Sequence, residues 1–135
     1  MKSIFKVSTL FMAILLYSCG NVQSQNTKTV LSVTEFSEQI STNTSAVIID
    51  VRTPAEFSQG HLEKARNIDW NGNDFDKQIS TLDKTKPVYV YCKSGARSAA
   101  AAKKMRDSGF TEVYELDGGI LKWQAAKLST TTASN

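Results

Sequence analysis

Val88-Tyr89-Val90-Tyr91-Cys92-Lys93-Ser94-Gly95-Ala96-Arg97-Ser98 is an apolar, β-rich run that ends at a cysteine and turns through a glycine into the alanines at 99–102. It reads as strand, anion-binding loop and helix, with the thiol at the junction. Backbone N–H groups and the positive end of a helix macrodipole converge at such a junction and favour thiolate over thiol. A free cysteine in a core is ordinarily a small hydrophobe and needs no such ring of donors. Cys92 is therefore read as a nucleophile. The N–H groups of Lys93, Ser94, Gly95, Ala96, Arg97 and Ser98 are expected to aim inward as a nest for an anion. Gly95 permits the backbone conformation that closes the turn, and Lys93 and Arg97 add positive charge. The planar fork of Arg97 suits either sulfonate oxygens or a carboxylate that braces the loop.

Upstream, Ala46 to Val51 is a second continuous apolar run, the pattern of a strand buried on both faces, and it places Asp50 at its carboxyl end. Thr53-Pro54-Ala55-Glu56 supplies a cap, a proline in the first turn and an acid, so a short helix should follow and end at Gly60. Further strands are expected at Val30 to Val33, Ala65 to Ile68 and Glu112 to Leu116. Helices are expected at Thr34 to Ile40, Phe75 to Leu82, Arg97 to Ser108 and Gly118 to Ala126. This alternation predicts a parallel α/β sheet covered on both faces. Ligands of such sheets bind beyond the carboxyl ends of the strands, where Asp50 and Cys92 both lie. Asp50 and Arg52 are read as a structural pair behind the loop, because an unpaired carboxylate there would be costly. Trp70 and Trp123 are read as packing residues. The two cysteines and single histidine are not closely spaced and cannot form a structural zinc site, so neither metal nor cofactor is expected.

Three motifs occur in order along the chain. The first is Asp50-Val51-Arg52-Thr53-Pro54-Ala55-Glu56-Phe57-Ser58-Gln59-Gly60-His61-Leu62, followed by Ala65, Asn67 and Ile68; then come the Cys92 loop and Gly118-Gly119-Ile120-Leu121-Lys122-Trp123. Together they closely resemble a single-domain rhodanese over about Val30 to Ala126. The resemblance implies a three-layer α/β/α domain around a parallel sheet of about five strands. It also implies a sulfurtransferase that takes sulfane sulfur from a donor such as thiosulfate, holds it as a persulfide on Cys92, and passes it to a thiol or to cyanide. It places His61 in a Gly-His-Leu turn that braces the fold, where a Cys-His hydrolase would need an orienting partner and an oxyanion site as well. Lys64 stands where many members have glycine, at a surface turn. Four residues separate Cys92 from Arg97, one fewer than in the loop with which cysteine phosphatases wrap phosphate. The smaller cradle points to sulfur and away from a phosphatase or arsenate reductase. The alternative from another class is a persulfide carrier or interaction module of the cell envelope that docks a partner without turnover.

The 135 residues leave room for one domain, and 41% hydrophobic content suffices for a core. Residues 1–18 read as a signal peptide: Lys2 and Lys6 precede an apolar run too short to span a bilayer. Leu16-Tyr17-Ser18-Cys19 resembles a bacterial lipobox, so Cys19 is expected to be lipidated and residues 19–29 to form a flexible tether. The domain is expected over 30–127, and a Ser/Thr-rich tail over 128–135 is expected to be disordered. By resemblance to enterobacterial lipoprotein sorting, Gly20 rather than Asp after Cys19 implies the outer membrane, facing the periplasm. A lipid-linked Cys19 leaves Cys92 as a lone, reactive thiol in an exported protein. Removing Lys2 and Lys6 lowers the formal charge from +3 to +1, which argues against a nucleic-acid partner. The expected partners are a small sulfur compound or thiol acceptor, and the membrane through the lipid alone; a monomer is expected.

Overall fold

Two strands with every residue buried or nearly so, β2 (Val47–Asp50) and β4 (Val88–Tyr91), lie side by side in parallel at the centre of the molecule, Asp50 opposite Tyr91. The structure, a computed structural model, describes residues 28–133. The expected signal peptide, Cys19 and the tether up to residue 27 lie outside those residues. Around the central pair, β1 (Val30–Leu31), β3 (Arg66–Asn67) and β5 (Val113–Leu116) complete a five-stranded parallel sheet in the order β1-β5-β4-β2-β3. Alternation along β4 divides the core between the two faces. Val88, Val90 and the adjoining Cys92 join Phe75 and Ile79 of α3 (Phe75–Ser80) and Ala101, Ala102 and Met105 of α4 (Ala96–Asp107). Tyr89 and Tyr91 join Phe36 of α1 (Val33–Thr42) and Ile120 and Trp123 of α5 (Gly119–Ala125). Phe57 of α2 (Pro54–Ser58) packs against the edge of that second cluster. Phe36 is fully buried and meets both Tyr89 and Trp123 edge to face, which stabilises this layer by about 1.5–3 kcal/mol through burial alone.

The architecture is the expected three-layer parallel α/β fold, and the elements differ from expectation mainly in length. β1 stops after two residues because Ser32 leaves the strand to cap α1. Its hydroxyl accepts the Glu35 N–H (3.3 Å) while the Glu35 carboxylate accepts the Ser32 N–H (2.8 Å), a reciprocal capping box. Lys64 has φ +63°, a left-handed conformation that glycine adopts without cost; this is the turn where the sequence departs from the family pattern. The tail is a correction. It was expected to be disordered from Leu128, but Leu128 packs on the second core cluster and Ser129 accepts the Trp123 indole N–H at 3.0 Å. Thr131 pairs with His61 in an antiparallel bridge (2.8 and 2.9 Å). Its polar composition hid a backbone that satisfies its hydrogen bonds on the domain; residues 134–135 lie outside the described residues. None of the described helices is long and apolar enough to cross a membrane.

Candidate active site

β4 delivers Cys92 to the carboxyl end of the sheet, and α4 begins four residues later with Gly95 as its N-terminal cap. Gly95 has φ +115°, so the turn requires a residue without a Cβ. The sulfur is enclosed: Cys92 is 1% exposed. The Gly95 N–H donates to Sγ at 3.0 Å; Ser98 Oγ lies within reach of both Sγ (3.4 Å) and the Gly95 carbonyl (3.1 Å), so its single proton goes to the carbonyl beside the thiol, whose S–H donates to Oγ, and turns to the sulfur beside the thiolate. Burial would raise the thiol pKa. The Ser98 hydroxyl and the backbone N–H groups of Ser98, Gly95 and Ser94 outweigh it and hold the thiol below its ordinary value. Ser94, Gly95 and Ser98 thus supply the donors, whereas the side chains of Lys93 and Ser94 are exposed at the rim.

The loop is braced from outside by α5, a role the sequence reading did not assign. The Ile120 and Leu121 N–H groups donate to the carbonyls of Cys92 (2.9 Å) and Lys93 (3.2 Å). Each peptide is trans, so a carbonyl turned toward α5 sends the following N–H the other way, which brings the Ser94 N–H to the sulfur. Gly119, at φ +61°, makes this approach possible: a Cβ there would stand 2.5 Å from the Cys92 and Lys93 carbonyl oxygens. The only sequence signal was the glycine pair 118–119 itself.

Arg97 does not point freely into the loop. Its Nη1 and Nη2 donate to Glu56 Oε2 and Oε1, both at 2.8 Å, in a two-pronged pair. Of the two roles its fork suits, the carboxylate brace is the one present. The Arg97 guanidinium, with help from the Thr53 donors, lowers the Glu56 carboxyl to about 2. Glu56 was read only as a helix-start acid, because its partner is 41 residues away and shares no periodicity with it.

Behind the loop Asp50 and Arg52 form the expected pair, both buried. Arg52 Nη2 and Nε donate to the Asp50 carboxylate at 2.6–3.1 Å, and Nη2 also donates to the Gly60 carbonyl at 2.7 Å. The Arg52 guanidinium sits 5.7 Å from the Tyr91 ring centre. The Tyr91 hydroxyl accepts the Leu62 N–H (3.0 Å), tying the turn after α2 to β4. His61 is buried and stacked on Phe57 at 3.6 Å, with Nδ1 2.9 Å from the Phe57 carbonyl; it makes no hydrogen bond to Cys92. Trp70 and Trp123 pack edge to face on Phe75 and Phe36. Beside the loop opens a cleft of about 220 Å3 bordered by Lys93, Glu56, Gln59, Leu121 and Gln124. A larger cavity of about 410 Å3 lies on the α1 side and takes in no residue of the cysteine loop. Among the described residues no group of three His, Cys, Asp or Glu could hold a metal ion.

The rhodanese-like domain family matches residues 32–126. The chain is 38% identical over 82 residues to thiosulfate sulfurtransferase GlpE of Stutzerimonas stutzeri, covering 61% of this chain and 73% of that protein. It is 36% identical over 118 residues to the Bacillus subtilis protein YqhL, covering 87% of this chain and 90% of that one. Among solved structures, the polysulfide-sulfur transferase homodimer of Wolinella succinogenes superposes with a TM-score of 0.66 at 29% identity, covering 80% of this chain and 81% of that one. With its parallel sheet, its loop cysteine and this match over most of its length, the chain belongs to the rhodanese-like domain family.

Proposed function

We propose that the protein is a sulfurtransferase that moves sulfane sulfur from a donor such as thiosulfate to a thiol or cyanide acceptor through a persulfide on Cys92. The observation that carries this is the activated sulfur of Cys92, held below its ordinary pKa by the Ser98 hydroxyl and three backbone N–H groups at the start of α4. In the first half-reaction the Cys92 thiolate attacks the outer sulfur of the donor. The donor S–S bond breaks, sulfite leaves with the electron pair, and a new S–S bond forms on Cys92. In the second, an acceptor thiolate or cyanide takes the outer sulfur, giving a persulfide or thiocyanate and restoring the Cys92 thiolate. The N–H groups that stabilise the thiolate serve equally for the persulfide anion. The four-residue loop supports sulfur over phosphate.

The near-complete enclosure of Cys92 favours a second reading, a carrier that releases sulfur only to a docked partner. Incubation with thiosulfate followed by mass analysis of the Cys92 peptide tests the shared step, and addition of cyanide separates the two. A mass gain of one sulfur atom that cyanide removes repeatedly supports the enzyme. Absence of that gain with every sulfane donor removes both readings. The lipobox supports attachment through Cys19 to the outer membrane, facing the periplasm. Cys19→Ser should release the protein from membranes, and equal fatty-acid labelling of that variant would refute the anchor.

A further inference from the structure

Arg97 stands where an anionic donor would meet the loop, yet both its terminal nitrogens are occupied by one carboxylate. The pair is largely shielded, with 24% of the Arg97 and 29% of the Glu56 side chain exposed. Glu56 is doubly held. The same carboxylate accepts the Thr53 N–H and hydroxyl, both at 3.0 Å, so it cannot swing away without uncapping α2. Arg97 also senses the Cys92 sulfur: the charge on Cys92 adds to that of Glu56 in tightening its hold on its proton. Among the described residues the rim of the loop therefore presents one cation without a carboxylate partner, Lys93, and not two. Next to it the cleft offers two amide side chains, Gln59 and Gln124, and Leu121, which is 48% exposed. A small inorganic dianion would leave those groups unused.

We propose that Glu56 is a specificity-determining residue which, by withholding the Arg97 cation from the loop, turns the site from dianionic donors toward sulfane donors with a single charge and an organic group. The proposal rests on the sulfur-transfer reading and names its substrate class, organic thiosulfonates being the simplest example. The Cys92 thiolate attacks the outer sulfur of R–SO2–S−. The S–S bond breaks, the sulfinate R–SO2− leaves with the electron pair, and the persulfide anion remains on Cys92. Two negative charges enter the step and two leave, with no proton or outside oxidant required. The organic group R lies in the cleft against Leu121 and the glutamines.

The test uses the ratio of Cys92 alkylation rates with iodoacetate and with iodoacetamide, which reports the charge around the sulfur without requiring sulfur transfer. Gln at position 56 keeps the cap on α2 but frees Arg97. In Glu56→Gln the ratio should rise about threefold, the effect of one added cation several ångströms away in a partly solvated site. In Arg97→Gln it should fall, because the Glu56 charge is then bare, and in the double variant it should return to the wild-type value. Thiosulfate efficiency relative to that of benzenethiosulfonate should also rise in Glu56→Gln, since a dianion gains twice what a monoanion gains. An unchanged ratio in both single variants at undiminished melting temperature would overturn the proposal. If neither donor leaves a persulfide while the ratios move as stated, the sulfurtransferase reading fails and the control of anion access by Glu56 stands.

Discussion

Replacing Gly119 by alanine should both disable the loop and destabilise the fold. The added Cβ would lie 2.5 Å from the Cys92 and Lys93 carbonyl oxygens, both backbone atoms, at a position whose φ is +61°. A non-glycine residue in the left-handed region costs about 1–2 kcal/mol, and relief of an overpacked contact adds about 1–3 kcal/mol. The total of about 2–5 kcal/mol corresponds to a melting temperature lower by about 10 °C or more in a domain of this size. The relief must come from the Cys92–Lys93 peptides moving off α5, which misdirects the Ser94 and Gly95 donors. A misplaced set of donors lowers the rate by about 10²-fold. Gly118→Ala provides the contrast. There the atoms nearest the Cβ all belong to the flexible side chain of Lys122, which can turn away, so the cost is backbone strain of about 1–2 kcal/mol with the loop intact. Both variants are to be compared by thermal unfolding, by alkylation of Cys92 across pH, and by thiosulfate:cyanide transfer well below either melting temperature. If Gly119→Ala retains wild-type alkylation and transfer, or loses no more than Gly118→Ala, α5 does not set the loop geometry.

Ser98→Ala removes the one side-chain hydroxyl that opposes the effect of burial on the Cys92 thiol. The alkylation profile should shift to higher pH, with the neutral-pH rate down about three- to tenfold; a profile that stays in place would exclude Ser98. Glu56 titrates at about 2 in the folded chain against 4.5 for the free group. Its contribution to stability is therefore full above pH 4.5 and is lost as pH falls toward about 2. The stability gap between wild type and Glu56→Gln should close over that interval, and a gap independent of pH would contradict the pairing with Arg97. Asp50→Asn leaves Arg52 buried without its counter-charge and should cost about 3–5 kcal/mol in denaturant unfolding. An unaltered midpoint would show that the pair is not what holds the turn after α2.

The parts of this protein that could be read from its sequence are those whose signal is local. β2 and β4 announce themselves as unbroken apolar runs because central parallel strands are buried on both faces. The start of α2 was legible in Thr53-Pro54-Ala55-Glu56 because capping chemistry acts within one turn. Cys92 could be singled out because strand, glycine turn and alanine-rich helix are contiguous around it. What escaped depends on contacts between distant segments. The Glu56–Arg97 pair, the seating of α5 on the loop carbonyls and the docking of Thr131 on His61 each join stretches with no shared periodicity. The tail misled for a related reason: serine and threonine are common in disordered segments, yet their backbones pair as well as any other.

All five strands run in one direction, and that fixes an orientation. The short edge strands β1 and β3 nevertheless begin level with the third residues of their neighbours, Val30 beside Glu115 and Arg66 beside Ile49, so both lie in the carboxyl half of the sheet, toward the end of β4 that Cys92 follows. Two residues at about 3.3 Å each, about 7 Å, separate the level of Val30 and Val90 from Cys92. The sheet is therefore five strands broad at the rim where Cys92 lies and three at the opposite one, so the cysteine loop rests on the broad end of a wedge.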